Sequence, residues 1–329
     1  MTPPPRQTAA ALLAAAAFVL ALAGCGGGGD DNGASAPPAT APTAQAFPSA
    51  SGKATLGDLV KGLPQGPNLA PSQSRLDTGD TRFAFGLFDR GNKTVNGAAV
   101  AVYTASETQT DVRGPYVARF ESLDVDRRFQ SRTTASDPNT ARGIYVAHIP
   151  LTKGRHVLIA LVRLDDRLVA SSASLAPAGV PGGPPSVGQP AIRVHTPTAA
   201  SVGGDLSKID TRVPPDGMHS VDLANVLGRR PVILVFATPA LCQSRTCGPV
   251  VDEVEQLRSE LGGRAAFIHM EVYNDNDASR GYRPQLRAWR LTTEPWVFAI
   301  GRNGRVAARL EGAASLGELR AAAQKALRS

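Results

Sequence analysis

Cys242 and Cys247 stand with four residues between them, Gln243 to Thr246, directly after the apolar run Val232 to Ala237. A buried strand that empties into a paired-cysteine turn and then a helix is the layout of a redox-active thiol site. The thiolate is the reactive form, and free N–H groups and the macrodipole at a helix start favour it. Cys242, just before the helix or in its first turn, is therefore expected to attack and Cys247 to resolve, with Arg245 close enough in sequence to add positive potential. Residues five apart in one regular helix lie roughly 8.6 Å from each other, beyond the ~6.8 Å limit for a disulfide. Closure of the pair thus requires residues 242–246 to be a loop, or the first helical turn to unwind.

The elements that position this pair read as a compact α/β order. The strand Val232 to Phe236 is followed by a helix from about Gly248 to Leu261, with Val250, Val251, Val254, Leu257 and Leu261 at helical spacing. Ala265 to Tyr273 is a second strand, Arg283 to Trp289 a helix and Trp296 to Ile300 a third strand. Asn303-Gly304 turns into Arg305 to Leu310, and Leu316 to Leu327 closes as an amphipathic helix. Upstream, Arg82–Asp89, Ala98–Tyr103, Tyr116–Leu123, Ile144–Ile149, His156–Leu164 and Leu168–Ser174 are short segments rich in Val, Ile, Phe and Tyr, separated by turn signals. Such spacing predicts a β-sandwich over residues 76–176, similar to immunoglobulin-like modules. Pro and Gly crowd residues 177–190 and mark a linker, leaving 191–329 as the second domain. The fold class expected is α+β overall.

The chain holds three cysteines in 329 residues, too few for a disulfide scaffold. The third, Cys25, ends a segment with Arg6 ahead of an apolar stretch, Ala9 to Ala23, too short to span a bilayer permanently. Leu22-Ala23-Gly24-Cys25 resembles a bacterial lipobox. That resemblance implies a signal peptide over residues 1–24, lipid attachment at Cys25 and retention on the extracytoplasmic face of the membrane. Residues 25–75 are rich in Gly, Ala, Pro, Ser and Thr and predict a flexible tether, apart from one helical turn at Asp58 to Leu63. Its near-fifty-residue Gly-rich stretch would reach about 40 Å. The net charge of +7 is spread over single or paired basic residues, which reads as a solvated surface and not a nucleic-acid site.

With the strand, the cysteine pair, the helix, the Thr293-Glu294-Pro295 turn and the final hairpin and helix in hand, Val187 to Leu327 resembles a thioredoxin-fold redoxin domain. The segments VGQPAIRVHTPTA and VDLANVLGRRPVILVFATPALC are similar to the openings of the redoxin branch. The resemblance implies a cis-proline at Pro295 facing the dithiol, and site-shaping roles for Thr238, Pro239, Arg245 and Glu294. Glu294 would exchange protons with the thiols during the cycle. Thioredoxin has two residues between its cysteines, Trp before the first and a buried acid in the strand; here there are four, with Leu241 and Val235 at those places. The spacing and the Cys247-Gly248 sequence are instead similar to the peroxiredoxin Q class, which has Thr three residues before its attacking Cys where this chain has Pro239.

Three functions follow. The first is a tethered thiol–disulfide oxidoreductase acting on protein thiols or disulfides, with a separate electron donor or acceptor. The second is a thiol peroxidase with Cys242 peroxidatic and Cys247 resolving; the third is a binding lipoprotein in which the pair is a static disulfide. His269 and Met270 raise copper delivery, but neighbouring strand residues point to opposite faces, and His148 and His156 have no ligand cluster around them. No cofactor and no metal are expected.

Overall fold

The computed structural model describes residues 42–329, which belong to one compact unit. The expected signal peptide, Cys25 and the start of the tether lie outside the described residues.

Residues expected to continue the tether are instead built into the fold. Thr55 caps α1 (Leu56–Val60) through a capping box with Asp58, and β1 (Asn68–Pro71) pairs with the next strand. Phe47, Ala50, Leu56, Leu59 and Leu69 are buried. The first four suffice because they cover an apolar sheet face already present, formed by Ala101, Tyr103, Val157, Ile159 and Leu161, while Leu69 joins the core around Phe83 and Phe85.

Alternating apolar residues continue through β2 (Gly79–Phe88), β3 (Ala99–Ser106), β4 (Arg113–Ser122), the short helix α2 (Arg132–Ser136), β5 (Gly143–Leu151), β6 (Gly154–Leu164), β7 (Arg167–Ala170) and β8 (Ser174–Ala178). The strands form one antiparallel sheet in the order β1-β2-β5-β4-β3-β6-β7, with β8 also on β6. The immunoglobulin-like sandwich expected from the sequence is not shown by this order. One long strand joins its two ends: β4 pairs with β3 along Arg113 to Ala118 and with β5 along Arg119 to Ser122. The sheet curls over a core that includes Phe83, Phe85, Tyr145, Ile149 and Leu158.

The second sheet has the order β10-β9-β11-β12. After α3 (Leu223–Val226) come β9 (Val232–Phe236), α4 (Cys247–Leu261), β10 (Ala266–Met270), α5 (Pro284–Ala288), β11 (Trp296–Ile300), β12 (Val306–Glu311) and α6 (Leu316–Arg328). Strand β9 runs parallel to β10 and antiparallel to β11, and every residue in all three is buried. Period-two alternation explains the continuous apolar run. Ile233 and Val235 pack among Val250, Val254, Leu257 and Leu319 from α4 and α6, while Val232, Leu234 and Phe236 pack among Leu286, Trp289 and Phe298.

Residues 177–190 do not leave the two sheets apart. Arg309 of β12 donates to the Pro184 carbonyl at 2.9 Å, and Gly188 and Gln189 exchange backbone hydrogen bonds with Val306. Arg82 of β2 forms a two-pronged pair with Glu318, at 2.6 and 2.9 Å, and donates to the Ala313 carbonyl. Glu311 accepts from Ser74 and Arg75 across the same boundary. Gly312, with φ +74°, lies so close to the Ser72 carbonyl that a Cβ there would sit 1.8 Å from its oxygen. Only glycine permits this approach.

Candidate active site

The fully buried strand β9 delivers the chain to Ala237, Thr238 and Pro239, all buried, after which Ala240 is exposed. Residues 238–246 form a loop, and α4 begins at Cys247, one residue before the helix start read from sequence. Cys242 therefore lies outside the helix and Cys247 is its first residue, so the separation that holds for two residues of one helix does not apply.

Both thiols are free, Cys242 partly exposed and Cys247 wholly buried. The Cys247 backbone N–H donates to Cys242 Sγ at 3.4 Å. It belongs to the first turn of α4, where N–H groups have no helical acceptor and the dipole favours negative charge. Ser244 Oγ lies 3.2 Å from the same sulfur and 2.9 Å from Thr246 Oγ1, so a hydroxyl relay can direct Thr246 to Ser244 and Ser244 to the thiolate.

These contacts drive the two thiols apart in acidity. A hydrogen bond from the Cys247 thiol, then those from Ser244 and the backbone, outweigh burial and bring Cys242 down to about 6. Burial pushes Cys247 well above the ordinary thiol range, and its hydrogen bond to Cys242 adds to the shift. Arg245 is exposed, with φ +58°, and its backbone N–H donates to the Cys242 carbonyl. Local hydrogen bonds, not a nearby guanidinium, head the causes of the low Cys242 value.

Glu294 and Pro295 reach the site from the turn before β11, joined by a cis peptide with Pro295 buried. Burial and the charge of Cys242 raise Glu294 to about 7, against a hydrogen bond from Tyr273. Thr238 faces the other thiol through its backbone N–H, which favours the Cys247 thiolate, while its Oγ1 is buried without a partner. The structure thus brings Cys242, Cys247, Thr238 and Glu294 together, with Pro295 next to Glu294 in the chain, Pro239 buried in the loop that leads to the cysteines and Arg245 on its outer side.

Sequence reasoning missed Ser244 and Tyr273, which touch Cys242 and Glu294. It also missed the first sheet's contribution. Ala141 donates to the Arg245 carbonyl at 3.3 Å, and a Cβ on Gly248 would meet Thr134 Oγ1 at 2.7 Å. Ser131 donates to Asp252 of α4, which also pairs with Arg212 at 2.8 Å. Hydroxyls after β4 carry no sequence pattern that would tie them to a helix more than a hundred residues away.

A second polar cluster lies behind the loop. His269 of β10 contacts Asp216 through Nδ1 at 2.7 Å and the Ala237 carbonyl through Nε2 at 3.1 Å. Burial opposes its charge, but Asp216, Asp210 and Glu271 more than offset this and hold it at about 10. A groove of about 1130 Å³ lies elsewhere, lined by residues that include His195, Asp222 and Arg283 and by neither cysteine.

No protein-family model and no curated protein matches the sequence. Among solved structures, the chain is similar to a protein described as a thiol:disulfide interchange protein DsbE from Chlorobium tepidum. They share 17% identity over 44% of this chain and 99% of that one, with a TM-score of 0.31. A thioredoxin-family thiol:disulfide interchange protein from Chlorobium tepidum TLS matches at 17% identity over 45% of this chain and 99% of that one, with a TM-score of 0.29.

Proposed function

We propose that the protein is a thiol–disulfide oxidoreductase of thioredoxin-like fold in which Cys242 attacks and Cys247 resolves. The observation that carries this reading is the split between the two thiols: one partly exposed, at about 6 and accepting the first N–H of α4, the other buried and held protonated. A static staple needs no such asymmetry.

In the reducing direction, the Cys242 thiolate attacks one sulfur of a substrate disulfide. A mixed disulfide forms, and the other substrate sulfur leaves as a thiolate that takes up a proton. Cys247 then loses its proton to Glu294, whose value of about 7 suits it to accept near neutrality. The Cys247 thiolate attacks Cys242 Sγ, the mixed disulfide breaks and the second substrate thiol is released. Two electrons have passed from the dithiol to the substrate, and a separate dithiol donor must restore them; oxidation of a substrate dithiol runs the same steps backwards.

The lipobox-like Leu22-Ala23-Gly24-Cys25 supports a lipid anchor on the extracytoplasmic face of a membrane. No helix among the described residues is long and apolar enough to cross one. Labelling with a radioactive fatty acid checks this: the intact chain should incorporate label and Cys25→Ala should not.

The reading of the pair is tested by measuring its reduction potential and by mixing reduced protein with peroxide. A reversible two-electron couple with slow peroxide consumption is expected. Rapid peroxide-driven oxidation of Cys242 would replace the proposal with a peroxidase, and a bond that common reductants cannot open would replace it with a structural disulfide.

A further inference from the structure

Asp210, Asp216, His219 and His269 converge behind the cysteine loop, all four buried, on the face of the sheet that carries α4. Each offers one ligand atom, and the four atoms lie within 4.8 Å of one another. His219 Nε2 is 3.2 Å from Asp210 Oδ2 and 3.4 Å from Asp216 Oδ1. His269 Nδ1 is 2.7 Å from Asp216 Oδ2 and 3.8 Å from Asp210 Oδ1. A tetrahedral zinc ion with nitrogen and oxygen ligands at ~2.0–2.1 Å sets those ligands roughly 3.3–3.4 Å apart. These contacts use both oxygens of each aspartate, so rotation of the two carboxylates would turn one oxygen of each toward a shared ion.

The surroundings fit such an ion. His269 Nε2–H donates to the Ala237 carbonyl, which directs Nδ1 to the quartet in the way a backbone carbonyl orients a metal-bound imidazole. The carboxylates are held by backbone donors: Arg212 N and Asp216 N to Asp210, Met218 N to Asp216.

A buried carboxylate close enough to act on His269 is only half satisfied. Glu271, 1% exposed, is two residues beyond His269 on the same extended run and therefore on the same face. Its Oε1 accepts from Thr211, but its Oε2 has no partner. The nearby Arg212 guanidinium is committed to Asp252 and to the carbonyls of Pro214 and Phe129. Three buried carboxylates face the single charge of the His269 imidazolium, so a divalent cation among them would balance charge that the imidazolium leaves.

We infer that Asp210, Asp216, His219 and His269 form a structural site for a divalent cation of zinc type. Binding releases the Nδ1 proton of His269 and exchanges its hydrogen bond to Asp216 for two coordinate bonds. The ion would join the 210–219 segment to β10 and thereby brace the cysteine loop from behind. Thr211 Oγ1 accepts from Ala240 N, and Ala237 accepts from His269.

The test uses the full chain carrying Cys25→Ser, Cys242→Ser and Cys247→Ser, so that no thiol binds metal and failure of the exchange mechanism cannot affect the result. After chelation and dialysis, Zn2+ is titrated calorimetrically and Co2+ by visible absorption. One ion per chain with Kd of ~1 μM or tighter is expected, with intense four-coordinate cobalt bands and a raised melting temperature. His219→Gln should weaken binding ~100-fold or more, while Asp80→Asn, at an exposed pair with His148, should leave it unchanged. Absence of one-to-one binding, equal binding by His219→Gln or a weak six-coordinate cobalt spectrum overturns the site. Should His219→Gln fail to fold, X-ray absorption of the zinc-loaded parent decides: scattering from two imidazoles supports the assignment, and fewer overturns it.

Discussion

In the curled first sheet and its loops, the buried polar side chains are hydroxyls such as Thr81, Thr104, Ser131 and Ser171, whereas beyond residue 209 they include Asp210, Asp216, Asp252, Glu253, His269 and Glu271. A hydroxyl buried beside a backbone group is satisfied locally; Ser171 Oγ, for example, donates to the next residue's carbonyl and accepts from Ala160 N. A buried charge must be surrounded by partners, and those partners set its proton affinity. The first sheet is built for packing. The second half holds groups whose ionisation is tuned, and the two thiols of unequal acidity are among them.

The sharpest way to break this contrast is to remove the attacking sulfur. Cys242→Ser should bring disulfide reduction down to background, while Phe85→Ala in the first sheet should leave the rate per folded molecule unchanged. Undiminished reduction by Cys242→Ser ends the mechanism. Stability offers the next largest effect. Asp252→Ala strands Arg212 in a buried site and should cost about 3–5 kcal/mol in urea unfolding. Phe85→Ala, a cavity in an apolar core, should cost a similar ~3–5 kcal/mol. The two differ in salt and pH response: only the loss of the ion pair should alter how stability varies with pH.

Finer tests act on the pH profile of Cys242 alkylation, which should rise through a midpoint near 6 and level off above it. Ser244→Ala removes a donor that favours the thiolate, so the midpoint should move up, by less than ~1 unit because the site is partly exposed. Glu294→Gln removes an anion that repels the thiolate, so the midpoint should move down by a smaller amount. A shift of either midpoint in the other direction would mean that the site's electrostatics run opposite to the geometry.

Much of the scaffold can be read from residue order alone. The runs at 82–89, 144–149, 156–164, 232–236 and 296–300 alternate or concentrate apolar residues strongly enough that the observed strands fall on them within a few residues. The docking of residues 42–75 was hidden because a handful of apolar side chains in a Gly- and Pro-rich stretch carries no period. The continuous sheet was hidden for another reason: which neighbours a strand takes is not written in its own alternation. At the site, Cys242 and Cys247 announce themselves by spacing, whereas Ser244 does not, since a serine beside a thiol is a common loop residue. The His269 quartet is the hardest case. Its members are scattered from residue 210 to residue 269, without the short spacing by which metal ligands are recognised, and only the parallel pairing of β9 with β10 and the folding back of the 210–219 loop collect them.

The bonds that cross between the sheets bear on inheritance. Asp252 on α4 accepts from Ser131, Gln256 accepts from Asp126 N, and Glu318 on α6 holds Arg82 of β2. Each such bond leaves an unmatched partner if either half is replaced by that of another protein. A recombination event that swapped the half holding the two thiols at the 177–190 segment would therefore produce a chain with misfitted seams, and the two halves are bound to evolve as a single unit of descent although a Pro- and Gly-rich segment separates them in sequence.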